Sequence, residues 1–239
     1  MSSSQAHVVG HVGANDDVAV PARTWLRLWD LPLRLFHWSL VAAVTTAVVT
    51  GELGGAWMPL HAKAGLFIVG LVVFRLVWGL VGSTHARFAS FVPTWPRVKA
   101  YLNGRWRGVG HNPLGAFSVF ALLGLLAAQV STGLFSSDDI AFNGPLFNLI
   151  DEALASRLGG WHQQLANILL WLMGLHVVAI VFYWLFKRDN LVKPMVTGWK
   201  EVDANAVKTP ASAKGGPVAF SVALLTAVVA VYLASGATL

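Results

Sequence analysis

Apolar positions in this chain run in long unbroken blocks instead of alternating with polar ones. Four blocks are strong, at about 31–51, 60–81, 114–135 and 161–186, and a fifth at 217–234 is short but uninterrupted. Each is close to the ~17–25 residues that a helix needs to cross the hydrocarbon core of a bilayer. Backbone polar groups in lipid must be satisfied within the segment, so such blocks are helices. The pattern predicts an all-α integral membrane protein: a four-helix transmembrane bundle with a fifth, C-terminal transmembrane helix. It divides into a flexible tail (1–24), the four-helix domain (25–200), a linker (201–216) rich in Lys, Ala, Gly and Pro, and the extra helix (217–239). No solenoid-type repeat is visible.

Composition sharpens this. Charged residues make up 12% of the chain, about half the share of ordinary soluble domains. The net charge of +6 would fit nucleic acid, but its distribution argues against that. Basic residues cluster before and at the start of the first block (Arg23, Arg27, Arg34), in the 82–113 loop, and after the fourth block. The other loops carry Glu52, Asp138, Asp139, Asp151 and Glu152 against only Lys63 and Arg157. The positive-inside rule then places the N-terminus, 82–113 and 187–216 in the cytoplasm. Trp38, Trp57, Trp78, Trp161 and Trp184 lie near block ends, where an aromatic belt belongs. The basic, Trp- and Pro-containing 82–113 loop reads as a topology determinant lying on anionic headgroups, with a docking or quinone-side surface as the alternative. Residues 1–22 are polar and lack an apolar h-region, so they read as a tail, with His7 and His11 incidental. There is no cysteine, which removes c-type haem attachment, iron–sulfur clusters, thiolate zinc and disulfides together.

The chemistry lies in the histidines. His162 and His176 are fourteen residues apart in one block. Fourteen helical steps fall about 40° short of four turns, so both rings leave one face, about 21 Å apart along the axis. Histidine in lipid marks a functional site. His37 sits near the cytoplasmic end of the first block, and His61 near the outer end of the second. Depth therefore sorts the four into His37 with His176 and His61 with His162. Each pair can hold one haem iron through two imidazoles, and iron with both axial positions filled transfers electrons instead of binding oxygen. Gly51, Gly65, Gly133 and Gly174 lie at these depths, where a missing side chain admits a porphyrin or a neighbouring helix. Arg75, fourteen residues after His61, either meets a haem propionate near the His37/His176 centre or snorkels to headgroups. Arg34, one turn before His37, is a second propionate candidate. His85 and His111 lie outside the blocks and are not expected to be ligands.

The segments RLFHW (34–38), HAKAG (61–65), WHQQLAN…GLH (161–176) and FKRDN (186–190) resemble the bacterial cytochrome b561 family, including its hydrogenase-type b subunits. GHNPLG (110–115) resembles the hydrogenase-type branch. The resemblance covers about residues 25–200. It implies two non-covalent b haems in a four-helix bundle of the bacterial inner membrane, with axial roles for His37, His61, His162 and His176. It also implies a link between quinone and a partner at the other face, such as a hydrogenase or a cytochrome c. Spacing does not locate a quinone pocket; His111, Asn112 and Arg87 are candidate polar partners on the cytoplasmic side. Two other classes stand beside this one. A histidine-lined divalent-metal transporter should carry intramembrane carboxylates, which the blocks essentially lack. A non-redox membrane anchor leaves the paired histidines without a purpose.

Overall fold

The computed structural model describes residues 23–137, 142–203 and 215–237. The N-terminal tail up to residue 22, with His7 and His11, lies outside the described residues, as do 138–141, with Asp138 and Asp139, and most of the linker (204–214).

Five helices are long and apolar enough to cross a membrane. They are α1 (Leu31–Leu53), α2 (Met58–Val81), α5 (Pro113–Phe135), α6 (Glu152–Phe186) and α8 (Pro217–Ala234). Short helices α3 (Phe88–Phe91), α4 (Trp95–Leu102) and α7 (Val192–Thr197), with strands β1 (Arg23–Arg27) and β2 (Trp199–Asp203), gather at one end of the bundle. This is called the strand end below.

Local chemistry sets the helix starts. Asp30 caps α1 by accepting from Leu33 N at 2.7 Å, and Asn112 caps α5 through Gly115 N at 2.7 Å. Proline follows both caps, where its missing N–H costs nothing. Asp30 does more than cap: its second oxygen accepts from Trp78 Nε1 at 3.1 Å and from Ser83 Oγ. One carboxylate thus joins the start of α1, the end of α2 and the following loop. Trp78 is 1% exposed and sits in an apolar cluster with Trp29, Phe36, Phe74, Ala223 and Ala227. A second cluster, Ala43, Val44, Ile68, Val72, Leu123, Leu126 and Leu169, joins α1, α2, α5 and α6 at mid-depth.

The helices pack as α1 on α2, α5 on α6, and α8 along the far side of α2, with a lighter contact between α2 and α5. A small-residue stripe lets α8 approach: a Cβ on Gly70 would lie 2.8 Å from Val231. The outer face of α6 is open to lipid, with Trp171 83% exposed.

Three features depart from the sequence reading. First, α6 begins at Glu152, well before residue 161, because Asp151 accepts from Leu154 N at 2.8 Å and starts the helix early. At about 1.5 Å per residue its 35 residues span about 52 Å, longer than the ~30 Å hydrocarbon core, so α6 projects from the membrane. Second, the ends of the four-helix domain are paired strands. β1 and β2 are antiparallel, from Arg23↔Asp203 to Arg27↔Trp199, so part of the expected tail and linker is ordered. Third, the 82–113 loop contains α3 and α4. Tyr101 of α4 bonds the Tyr183 hydroxyl of α6, which also accepts from Asn112 Nδ2 at 2.7 Å.

Candidate functional site

Four histidines lie on the membrane helices, His37 on α1, His61 on α2, and His162 and His176 on α6. At the end away from the strands, the rings of His61 (α2) and His162 (α6) lie 6.1 Å apart, centroid to centroid, with their planes at 86°. His61 Nδ1 lies 2.8 Å from Ala47 O of α1, and His162 Nδ1 lies 2.9 Å from Gln129 O of α5. A carbonyl only accepts, so each Nδ1 carries the proton and each Nε2 keeps its lone pair, that of His162 accepting from Gln129 Nε2 at 3.2 Å. This is the usual arrangement for a metal-binding imidazole. A metal held by two imidazole nitrogens at ~2.0 Å each puts the ring centroids about 6 Å apart. The observed separation fits a bis-imidazole centre.

Two glycines make that geometry feasible. A Cβ on Gly51 would lie 3.1 Å from His61 Nδ1, and one on Gly133 would lie 2.7 Å from His162 Cε1. The space these glycines leave is taken by the histidine rings themselves. No protein atom lies within 4 Å of a Cβ on Gly65 or Gly174, so neither makes room for a neighbouring side chain or helix.

Nearer the strand end are His37, on α1, and His176, on α6. His176 Nδ1 is 3.3 Å from Ser118 Oγ of α5. His37 Nδ1 is buried without a hydrogen-bond partner among the described residues, and the Trp38 ring stands edge-on to His37 at 5.1 Å. A buried imidazole whose nitrogen the protein leaves unsatisfied fits a site that takes a further group.

The two arginines hold protein carbonyls. Arg34 Nη1 donates to Val196 O at 2.9 Å, tying α1 to α7, while its Nε is buried without a partner among the described residues. Arg75 is 3% exposed, donates to Ala86 O at 3.1 Å and lies 4.5 Å over the Phe88 ring. It is enclosed by the α2–α3 connection and does not snorkel.

His111 is wedged between Trp29 and Phe91, with ring centroids at 4.7 and 4.5 Å. Burial, with Arg75 and His85 adding, pushes its imidazole down to about 3, so it is neutral at ordinary pH. It lines a cavity of about 230 Å³ with His85, Phe91, Arg97 and Trp106. Asn112 is engaged at both side-chain ends, by Gly115 N and Tyr183, and Arg87 is exposed. Among the described residues no group of three or more His, Cys, Asp or Glu is placed to hold a metal ion without a porphyrin.

Sequence reasoning missed Gln129, Thr50, Thr132 and Ser118, which contact or support the rings. It also missed Asp30, which joins three segments. One signal was present: the segments AVVTG (47–51) and QVSTG (129–133) share a pattern.

Comparison with known proteins agrees with this architecture. Residues 28–198 match the family model described as prokaryotic cytochrome b561. A probable Ni/Fe-hydrogenase B-type cytochrome subunit of Azotobacter vinelandii is 26% identical, covering 76% of this chain and 90% of the relative. Its counterpart in Cupriavidus necator is 25% identical, covering 82% and 96%. The Ni/Fe-hydrogenase 1 counterpart in Escherichia coli K12 is 22% identical, covering 72% and 89%. No solved structure matches the chain. With its match reaching from before α1 to just past α7, the chain belongs to the prokaryotic cytochrome b561 family and is a multi-pass membrane protein of b-haem electron transfer.

Proposed function

We propose that the chain is a dihaem b-type cytochrome that carries electrons between the quinone pool and a redox partner protein. Two non-covalent haem b groups would be held by His37 with His176 and by His61 with His162. When bound, each supplies a one-electron Fe(III)/Fe(II) couple whose potential the axial ligands and their surroundings set. The observation that carries the reading is the His61–His162 pair: two rings at bis-imidazole spacing, each with Nδ1 committed to a backbone carbonyl.

The protein's own contribution is positional. Ala47 O and Gln129 O fix the tautomers, Gly51 and Gly133 give the rings room, and α6 sets the two pairs about 21 Å apart along its axis. The buried, unpartnered Arg34 Nε and the enclosed Arg75 charge are suited to haem propionates near the His37/His176 pair. A quinone headgroup fits the aromatic-walled cavity at His111, whose neutral ring can donate or accept a hydrogen bond. Asn112 then supports that cavity by fixing α5 and Tyr183. The strand end, with exposed Arg87, Lys99, Arg105 and Arg107, faces the cytoplasm of a bacterial inner membrane by the positive-inside rule. The relatives are named as hydrogenase subunits, which favours a hydrogenase over a cytochrome c as the partner.

Pyridine haemochrome analysis of the purified protein should give about two b haems per chain. His37→Ala and His176→Ala should lose the same haem, and His61→Ala and His162→Ala the other. A haem content near zero, or His37→Ala matching His162→Ala in its reduced spectrum, would overturn the reading.

A further inference from the structure

AVVTG on α1 and QVSTG on α5 are two copies of one seat for a histidine carried by another helix. In each, the carbonyl of the first residue accepts an imidazole Nδ1–H: Ala47 O from His61 at 2.8 Å, Gln129 O from His162 at 2.9 Å. In each, the fifth residue is glycine. The side chain four residues on overlies a helical carbonyl, so its absence opens that carbonyl to an outside donor. In each, the fourth residue is a buried threonine, Thr50 at 3% and Thr132 at 8% exposed. Its single hydroxyl proton is divided between that carbonyl and the one before it: Thr50 Oγ1 lies 3.2 Å from Ala47 O, and Thr132 Oγ1 2.9 Å from Gln129 O. Each hydroxyl also reaches the preceding carbonyl, Thr46 O at 2.6 Å and Ala128 O at 3.0 Å.

A carbonyl oxygen has two lone pairs, and in a helix one already serves the N–H four residues on. Threonine and imidazole therefore share what remains. We infer that Thr50 and Thr132 are positioning residues of the His61/His162 centre, which restrain the imidazole Nδ1–H···O bonds by sharing their acceptors. The inference rests on the four-histidine reading above.

The sign follows from ligand chemistry. A stronger Nδ1–H···O bond makes the imidazole a better donor to its metal, and a more electron-rich ligand favours Fe(III) over Fe(II). Removing the hydroxyl frees the carbonyl for the imidazole and should lower the midpoint potential. Thr→Val keeps the shape and the β-branch while deleting the donor. Thr→Ser keeps the donor. Thr132 shares its carbonyl at shorter range than Thr50, so its replacement should have the larger effect. Its oxygen also lies 3.4 Å from His162 Nδ1, too long to make it the main acceptor.

The test is a redox titration of the haem-loaded protein purified from membranes, followed by visible spectroscopy. The His61/His162 haem is first identified as the component lost in His162→Ala. In Thr132→Val its midpoint should fall, in Thr50→Val it should fall less, and both Ser variants should titrate like wild type. The His37/His176 haem should not move in any of them. Val variants that retain both haems and titrate like wild type overturn the inference alone. So do Ser variants that shift as far as Val, or equal shifts at both haems. If His162→Ala keeps its full haem content, the four-histidine reading fails, and this inference fails with it.

Discussion

Replacing Gly133 by alanine should expel the His61/His162 haem, and the structure allows the cost to be worked out. The added Cβ would lie 2.7 Å from His162 Cε1 and 3.0 Å from Nδ1. Ordinary carbon contacts are about 3.5–4.0 Å, so the ring must retreat by roughly 1 Å. That movement draws Nδ1 away from Gln129 O and spoils the spacing to His61. Overpacking of this size costs about 1–3 kcal/mol, and the strained hydrogen bond about 1 kcal/mol more. The sum corresponds to a fall of roughly 30- to 1,000-fold in haem affinity at this site. Alanine is also the better helix former by about 1 kcal/mol, so a loss cannot come from α5 itself. Gly51→Ala meets His61 Nδ1 at 3.1 Å and should cost less, because the ring need give only a few tenths of an ångström. Gly65→Ala and Gly174→Ala meet nothing within 4 Å and should keep both haems. Pyridine haemochrome analysis and reduced-minus-oxidised spectra, normalised to membrane-inserted protein, give the ranking. Full occupancy in Gly133→Ala, or equal loss in Gly65→Ala, would refute the argument that these glycines make room for imidazoles.

Asp30→Ala removes the α1 cap and leaves the buried Trp78 indole N–H unpaired, which should cost about 2–4 kcal/mol. Asp30→Asn should recover most of this, as read by thermal loss of the haem absorption band. His111 is held near 3, far below the usual histidine range, so the fold takes up its proton later than the unfolded chain does. Stability from this group is complete above about pH 6.5 and falls as the pH drops toward 3, by about 3 kcal/mol at about pH 4.5 before screening. Acidification should therefore destabilise the wild type more than His111→Phe. An equal acid response of the two proteins in thermal melts would show that His111 does not contribute.

Length and hydropathy made the membrane helices legible. The start of α8 at Pro217 followed directly from the apolar block, because lipid requires an uninterrupted apolar run and proline opens it. The start of α6 was obscured because Asp151 and Glu152 look like loop charges, although an aspartate before a helical segment is also a capping signal. The fourteen-residue spacing of His162 and His176 placed both rings on one face by helical geometry alone. What holds the His61 and His162 rings was not legible, since the acceptors are the carbonyls of Ala47 and Gln129, and a backbone carbonyl leaves no mark in the sequence. Gly51 and Gly133 are visible in the sequence, but that the His61 and His162 rings lie against them is not, because the direction of an imidazole is set by the backbone that receives it. The partner of Arg75, Ala86 O, lies in a loop whose path hydropathy does not determine. The strands were invisible for a related reason: five-residue segments of mixed polarity have no strong period, and each acquires its structure only from the other.

That pairing has a consequence for how the protein is made. α1 and α6 carry His37 and His176, yet they do not pack extensively along each other. Among the described residues, hydrogen bonds join the start of α1 to the segment after α6 at the strand end: β1 on β2, Leu28 N on Gly198 O at 2.8 Å, Arg34 on Val196 O at 2.9 Å, and Trp38 Nε1 on Met195 O at 3.2 Å. Gly198 is suited to this junction, since φ is +88° and a Cβ would lie 2.9 Å from Trp29 O. β1 thus waits for β2, which follows the fourth of these helices in the chain. A ribosome must deliver nearly the whole domain before the ring of helices can close. Until then α1 is held mainly by α2 and by the mid-depth apolar cluster it shares with α5 and α6, and its strand end stays unlatched. Biogenesis then has a built-in order, with the helices inserted first and the latch closed last. The natural interval for loading a bulky planar cofactor from the side is the one between those two events.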